Sequence, residues 1–202
     1  MDQYWLLPEQ ATTFKKRCAL RLLRLFKWRV HAPPLPGPRG VLIFYPHTSN
    51  WDFALTMLAK WSIGMEVRWL VKDSLFGGVF GKIWGPILRS WGGEPIERDS
   101  NSGNIERLAV RFHAADHFWL ALSPEGTRKF RPAWRSGFYY IALAAKVPVA
   151  LGFIDFARKE CGIIGYYTLT GEKEVDMANI RSVYENIRGL HHELAAPIEL
   201  AK

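Results

Sequence analysis

The chain has 202 residues, 49% of them hydrophobic, and 27 Lys and Arg against 19 Asp and Glu give a formal net charge of +8. That length supports one domain with a sizeable core. No run reaches the roughly 18 apolar residues of a spanning helix, and no compact apolar segment with a small-residue cleavage site opens the chain, so the reading is a cytoplasmic protein, soluble or peripheral. Two cysteines, Cys18 and Cys161, stand in no metal or disulfide spacing. They fit a reducing compartment and give no covalent nucleophile a privileged setting.

Charge concentrates at the start, where residues 1–31 hold seven Lys and Arg and two acids. At about 100° per residue, Phe14, Cys18, Leu22, Leu25 and Phe26 fall on one side of a helix. Lys16, Arg17, Arg21, Arg24 and Lys27 gather opposite, with Leu20 among them. This predicts a basic amphipathic helix that ends near the proline-rich linker of residues 33–38. Its apolar side either packs on the domain or lies on anionic lipid, where each basic residue near the surface contributes roughly 1 kcal/mol. Nine tryptophans suit a membrane interface. Nucleic acid is disfavoured, because the basic residues are not interleaved with a reader motif. The chain therefore divides into a membrane-associating helix with its linker, residues 1–38, and a domain, residues 39–202.

Residues 41–45 read as a strand, and Asn50 as the cap of a helix over 51–62. A second strand covers 67–71. Residues 75–91 are rich in glycine and large apolar side chains, with Pro86 interrupting any long helix. They read as a loop with short helices or as a shallow membrane-facing patch. A helix over 103–115 precedes a buried strand over 118–122. A small-residue helix over 135–146 leads into a strand over 147–154, followed by a β segment over 163–170 and a terminal helix over 175–194. This alternation predicts a single α/β domain with a largely parallel central sheet flanked by helices.

Two short segments carry the chemistry, each just after an apolar run. Tyr45-Pro46-His47-Thr48-Ser49-Asn50-Trp51-Asp52 sets an imidazole and a carboxylate five positions apart. If His47 ends a strand and Asp52 lies in the first turn of the next helix, the carboxylate folds back to Nδ1. It then fixes the tautomer and leaves Nε2 to accept a proton. The plain alternative is a turn histidine, with Asp52 favouring the helix N-terminus. Ser123-Pro124-Glu125-Gly126-Thr127-Arg128 offers a glycine for close backbone approach, a hydroxyl or amide donor and a guanidinium able to grip phosphate. Glu125 does not bind phosphate itself. It holds Arg128 or an acceptor hydroxyl, or pairs with a nearby cation. The plain alternative here is a polar turn.

Taken together, these segments resemble the glycerolipid acyltransferases, typified by 1-acylglycerol-3-phosphate acyltransferase. Their N-H-x4-D motif is matched by Pro46-His47-Thr48-Ser49-Asn50-Trp51-Asp52 and their F-P-E-G-T-R motif by Ser123-Pro124-Glu125-Gly126-Thr127-Arg128. A glycine-to-arginine motif resembles Gly92-Gly93-Glu94-Pro95-Ile96-Glu97-Arg98, and a V-P motif resembles Val147-Pro148-Val149-Ala150. Lys72 matches a lysine those enzymes often carry near the phosphate site. The four motifs run in order over about residues 40–155. Pro46, Ser123 and Ala150 depart from the usual asparagine, phenylalanine and second proline, at positions bordering the acyl and head-group pockets.

The resemblance implies transfer of a fatty acyl group from acyl-CoA or acyl-carrier protein to the hydroxyl of a lysophospholipid such as 1-acylglycerol-3-phosphate. It implies no metal and no cofactor beyond that co-substrate. His47 and Asp52 would be catalytic, and Lys72, Arg98, Glu125, Gly126, Thr127 and Arg128 would bind substrate. Amides at the helix start near Asn50 would receive the oxyanion. The expected setting is the cytoplasmic face of an anionic membrane. A non-phosphate lipid acceptor and a membrane-binding module without turnover are the competing readings. His113 and His117, spaced i, i+4, and the adjacent His191 and His192 read as surface or capping residues rather than metal ligands.

Overall fold

In the computed structural model, residues 14–72, 77–96 and 101–201 are described. The N-terminal helix α1 (Phe14–Leu25) stops at Leu25, well short of the proline-rich stretch, and Lys27 turns the chain at φ 60°. A strand β1 (Arg29–His31) follows. Next come β2 (Arg39–Tyr45), α2 (Asn50–Ile63), β3 (Arg68–Lys72), α3 (Gly78–Ser90), β4 (Gly93–Ile96) and α4 (Asn101–Ala114). Then β5 (Phe118–Leu122), α5 (Gly137–Ala145), β6 (Val149–Asp155), β7 (Glu160–Tyr167) and α6 (Lys173–Tyr184) complete the α/β alternation.

The seven strands form one sheet in the order β1-β7-β6-β2-β5-β3-β4. Every neighbouring pair is parallel except the β6–β7 hairpin. The central strands β2, β5 and β6 are hydrophobic on both faces, as parallel strands under helices must be. On one face Val41, Ile43, Leu120 and Leu151 pack against Phe112 of α4, Phe138 and Tyr139 of α5, and Ile180 and Tyr184 of α6. On the other face Leu42, Trp119 and Ala150 meet Met65 and Val67, while Leu55 and Ala59 of α2 reach Ile154 and Cys161.

Several elements differ from their sequence pattern. β1 and β4 are short strands that the periodicity does not announce, because three or four residues carry no readable period. Residues 78–90 form one helix despite Pro86. Its ring is exposed while Gly81 and Gly85 are buried, so the backbone bond that Pro86 cannot make is lost on the solvent side. The last helix ends at Tyr184, and only a 3-10 turn, His192–Leu194, follows before the chain returns toward the centre.

Helix α1 also presents a different side from the apolar one in the sequence pattern. Ala19 and Leu23 are its buried residues, whereas Phe14, Leu22, Leu25 and Phe26 are exposed by 41 to 74%. Among the described residues no helix is long and apolar enough to cross a membrane.

Candidate active site

The loop between β2 and α2 is shaped by a local device. Ser49 is the N-cap, with its hydroxyl accepting from the Trp51 amide at 3.1 Å, and Asp52 is the reciprocal partner of a capping box. Asp52 Oδ2 accepts from the Ser49 amide at 2.8 Å and the Thr48 amide at 2.7 Å. The helix therefore starts at Asn50, one residue earlier than a cap at Asn50 implies. That same oxygen lies 3.3 Å from His47 Nδ1. Asp52 is 2% exposed and the His47 side chain 25%, so the carboxylate is fixed inside and the ring reaches the surface. Among the described residues, Asp52 Oδ1 is buried without a hydrogen-bond partner.

The second segment leaves β5 and comes straight to this loop. Glu125 is 1% exposed and faces neither Arg128 nor solvent. Its Oε2 accepts from the His47 amide at 2.6 Å, and its Oε1 accepts from the Ala196 amide at 3.0 Å. Burial pushes the Glu125 carboxyl above the usual carboxylate range, while the two amides and His47 pull the other way. Arg128 is exposed and donates through Nη1 to Asn50 Oδ1, which brings the guanidinium to the first turn of α2. Thr127 Oγ1 accepts from the Lys129 amide at 3.3 Å. His47, Asp52, Thr127 and Arg128 thus share one end of the sheet, beyond the C-terminal ends of β2 and β5, where open α/β sheets bind ligands.

Gly126 has a physical role different from close approach to a ligand. Its φ is +66°, and a Cβ there would lie 2.9 Å from Arg135 Nε. The glycine makes the turn and lets Arg135 pack over it. Arg135, whose amide also bonds Pro124 O at 2.8 Å, is a cation at this loop that no motif announces. Lys72 enters the description by its backbone, as the last residue of β3 opposite Ile96. Arg98, with Glu97 and Asp99, lies outside the described residues.

Four amides around the helix start are already engaged. Those of His47, Thr48, Ser49 and Trp51 already donate to Glu125, Asp52, Asp52 and Ser49. A further wall comes from the chain's end, which the helical spacing of 175–194 does not foretell. The His191 amide donates to Thr48 Oγ1 at 3.2 Å, Tyr45 Oη donates to Ala196 O at 3.1 Å, and Trp134 and Leu200 form a parallel bridge. Burial, with Glu125 adding to it, pushes the Tyr45 phenol up to about 12. A cavity of about 510 Å³ between Pro46, Arg188, His192 and Ala195 adjoins this wall. His113 Nδ1 bonds its own helix at Ala109 O, and His191 and His192 are exposed beside Glu193.

The sequence model of the acyltransferase family matches residues 27–150, more than half of the chain, including the loops that carry His47, Asp52 and Arg128. The chain belongs to the acyltransferase family. Its fold is shared with a solved glycerolipid enzyme. Among solved structures, the acyltransferase is similar to the 1-acyl-sn-glycerophosphate (LPA) acyltransferase PlsC from Thermotoga maritima, with a TM-score of 0.53 and 16% identity over 86% of this chain and 75% of that one. No curated protein sequence matches the acyltransferase.

Proposed function

We propose that this acyltransferase moves a fatty acyl group from acyl-CoA or acyl-carrier protein to the free hydroxyl of a lysophospholipid, with 1-acylglycerol-3-phosphate as the acceptor. The observation that carries the reading is the buried Asp52 carboxylate 3.3 Å from His47 Nδ1, with Arg128 at the same helix turn. The solved relative's own substrate, a 1-acyl-sn-glycerophosphate, favours the phosphate-bearing acceptor.

In this mechanism His47 Nε2 takes the acceptor's hydroxyl proton as that oxygen attacks the thioester carbonyl. Asp52 steadies the imidazolium and holds the tautomer. The tetrahedral intermediate collapses with cleavage of the C–S bond, and the leaving thiolate takes the proton back from His47. Arg128, Lys72 and Arg98 hold the acceptor phosphate, with Thr127 as an added donor. Glu125 acts through His47: it fixes the main chain that carries the ring and is a positioning residue.

The setting is the cytoplasmic face of a membrane. The exposed Phe14, Leu22 and Leu25 of α1 and Phe26 just after it, flanked by basic residues, support contact with an anionic surface. Thiol release from acyl-CoA, measured against a panel of lysophosphatidate, other lysophospholipids and phosphate-free lipid alcohols, tests the proposal. Fastest release with lysophosphatidate is expected. Equal rates with phosphate-free acceptors, unchanged in Arg128→Ala, would replace it with the non-phosphate reading, and vesicle binding without thiol release would leave only a membrane module.

A further inference from the structure

At the end of the sheet opposite His47 lies an open groove with a cavity volume of about 850 Å³, within the size range of small-molecule sites. It opens where β3 and β5 begin, between the first turn of α1 and the last turns of α2, α3 and α4. Five Lys and Arg side chains line it against one carboxylate, Glu66. Three of them, Lys60, Arg89 and Arg111, occupy last turns of helices, where a cation complements the helix dipole. That is a sufficient reason for those three. It does not account for Lys15 of α1 and Arg68 of β3, which add positive charge to the same space.

Lys60 shows that the charge is in surplus. Its ammonium reaches in under Gly92 and donates to Val67 O and Trp91 O, so it is held by carbonyls. Gly92, at φ +94°, is needed there: a Cβ would lie 2.9 Å from Lys60 Nζ and 2.6 Å from Val67 O. Burial, with Arg68 and Lys15 adding repulsion and Glu66 opposing it, lowers the ammonium from the usual lysine range to about 8. Arg111 is engaged by Glu94 at 2.7 Å, and Arg68 reaches the same carboxylate at 3.4 Å.

The walls are apolar as well as basic. Phe14, 74% exposed, stands at the groove, with Trp61 and Met65 behind it. From Phe14 the exposed Leu22 and Leu25 continue along α1. A simple anion would leave this apolar rail unused.

The geometry points to a second binding site, separate from the catalytic cleft, for a phosphate-headed lipid: the phosphate sits against Lys15, Lys60 and Arg68, and the apolar part runs along Phe14 and Trp61. Binding there is independent of His47 and of turnover. An anion in this position favours the charged form of Lys60, so binding near pH 8 takes up protons, up to about half a proton per lipid. The charged and titratable groups that line the groove with Lys60 are Lys15, Glu66, Arg68, Arg89, Arg111 and His117.

Calorimetry on the full chain with dihexanoyl phosphatidic acid below its micelle concentration tests this, run in two buffers of different ionisation enthalpy at pH 8. Inorganic phosphate, free coenzyme A and dihexanoyl phosphatidylcholine are the comparison probes. The expected result is two lipid sites. The paired substitution Lys15→Glu and Arg68→Glu weakens one of them at least tenfold, and Arg128→Ala weakens the other. Proton uptake disappears in the first variant and persists in the second. Phe14→Ala, an exposed change that leaves the fold intact, weakens the same site several-fold. A single lipid site sensitive only to Arg128 would overturn the proposal. So would inorganic phosphate binding as tightly as the lipid, or coenzyme A taking the groove while phosphatidic acid does not.

Discussion

Beyond the C-terminal ends of β2 and β5 the buried charges are carboxylates, and backbone amides hold them. Asp52 takes two amides from its own loop, and Glu125 takes one from His47 and one from Ala196. Before the N-terminal ends of β3 and β5 the charges are cationic. Lys60 is held by two carbonyls, with other cations near enough to press on its proton. The contrast shows how one sheet separates two kinds of work. Where backbone N–H groups fix the acids, a neighbouring imidazole is held in one orientation, which catalysis requires. Where cations outnumber the acids beside them, the fold keeps a standing attraction for anions, which binding requires.

The largest test of the catalytic end is His47→Ala. Turnover in the thiol-release assay should fall by about 10²–10⁴-fold with an unchanged melting temperature, since the ring is partly exposed and the loop is held by Asp52 and Glu125. Near-normal turnover would remove the base from the mechanism. The matching change at the cationic end, Lys15→Glu, should leave turnover of soluble substrate within twofold, which keeps the two ends distinct.

Glu125→Gln should cost about 1–3 kcal/mol in denaturant unfolding, because one of two buried amides then faces an NH₂ instead of an oxygen. Its kcat should drop while KM moves little, the pattern of a displaced base. A rise in KM alone would mean that Glu125 touches the acceptor. Ser49→Ala is smaller: loss of the cap bond to Trp51 should cost about 0.5–2 kcal/mol, read as a shift in the unfolding midpoint.

The smallest effect is a pH limb from the other end. With Lys60 lowered to about 8 in the fold and ordinary when unfolded, the unfolded chain holds the extra proton between about pH 8 and 10.5. Stability contributed by this group therefore rises with pH through that window, by an amount on the order of 1 kcal/mol once solvent screening is allowed for. Lys60→Met should flatten that limb in a pH series of denaturant melts. A limb that persists would assign it to another group.

The legibility of the sequence followed range. The nearness of Asp52 to His47 was readable because five positions need only local geometry, whereas the cap proved to be Ser49 and not Asn50. The central strands were readable because burial on both faces leaves continuous apolar runs. Glu125 was not, since its partners lie 78 and 71 residues away and no spacing rule links them. Arg135 over Gly126, and the return of residues 187–200 to the site, were hidden for the same reason. The apolar side of α1 misled in another way: periodicity locates a stripe, but only the neighbouring helix decides which part of it is covered. Here α2 takes Ala19 and Leu23 and leaves Phe14 and Leu25 in solvent.

The amino-acid sequence alone determined the alternation of strands and helices and the short spacing that sets Asp52 behind His47. These rest on interactions within a few residues, whose geometry any chain of that composition repeats. Tertiary structure decided what Glu125 holds, which side of α1 is exposed and that five cations from separate elements meet in one groove. Those outcomes depend on which distant segments the sheet order brings together, and Coulomb and desolvation energies take their value only once those distances are set.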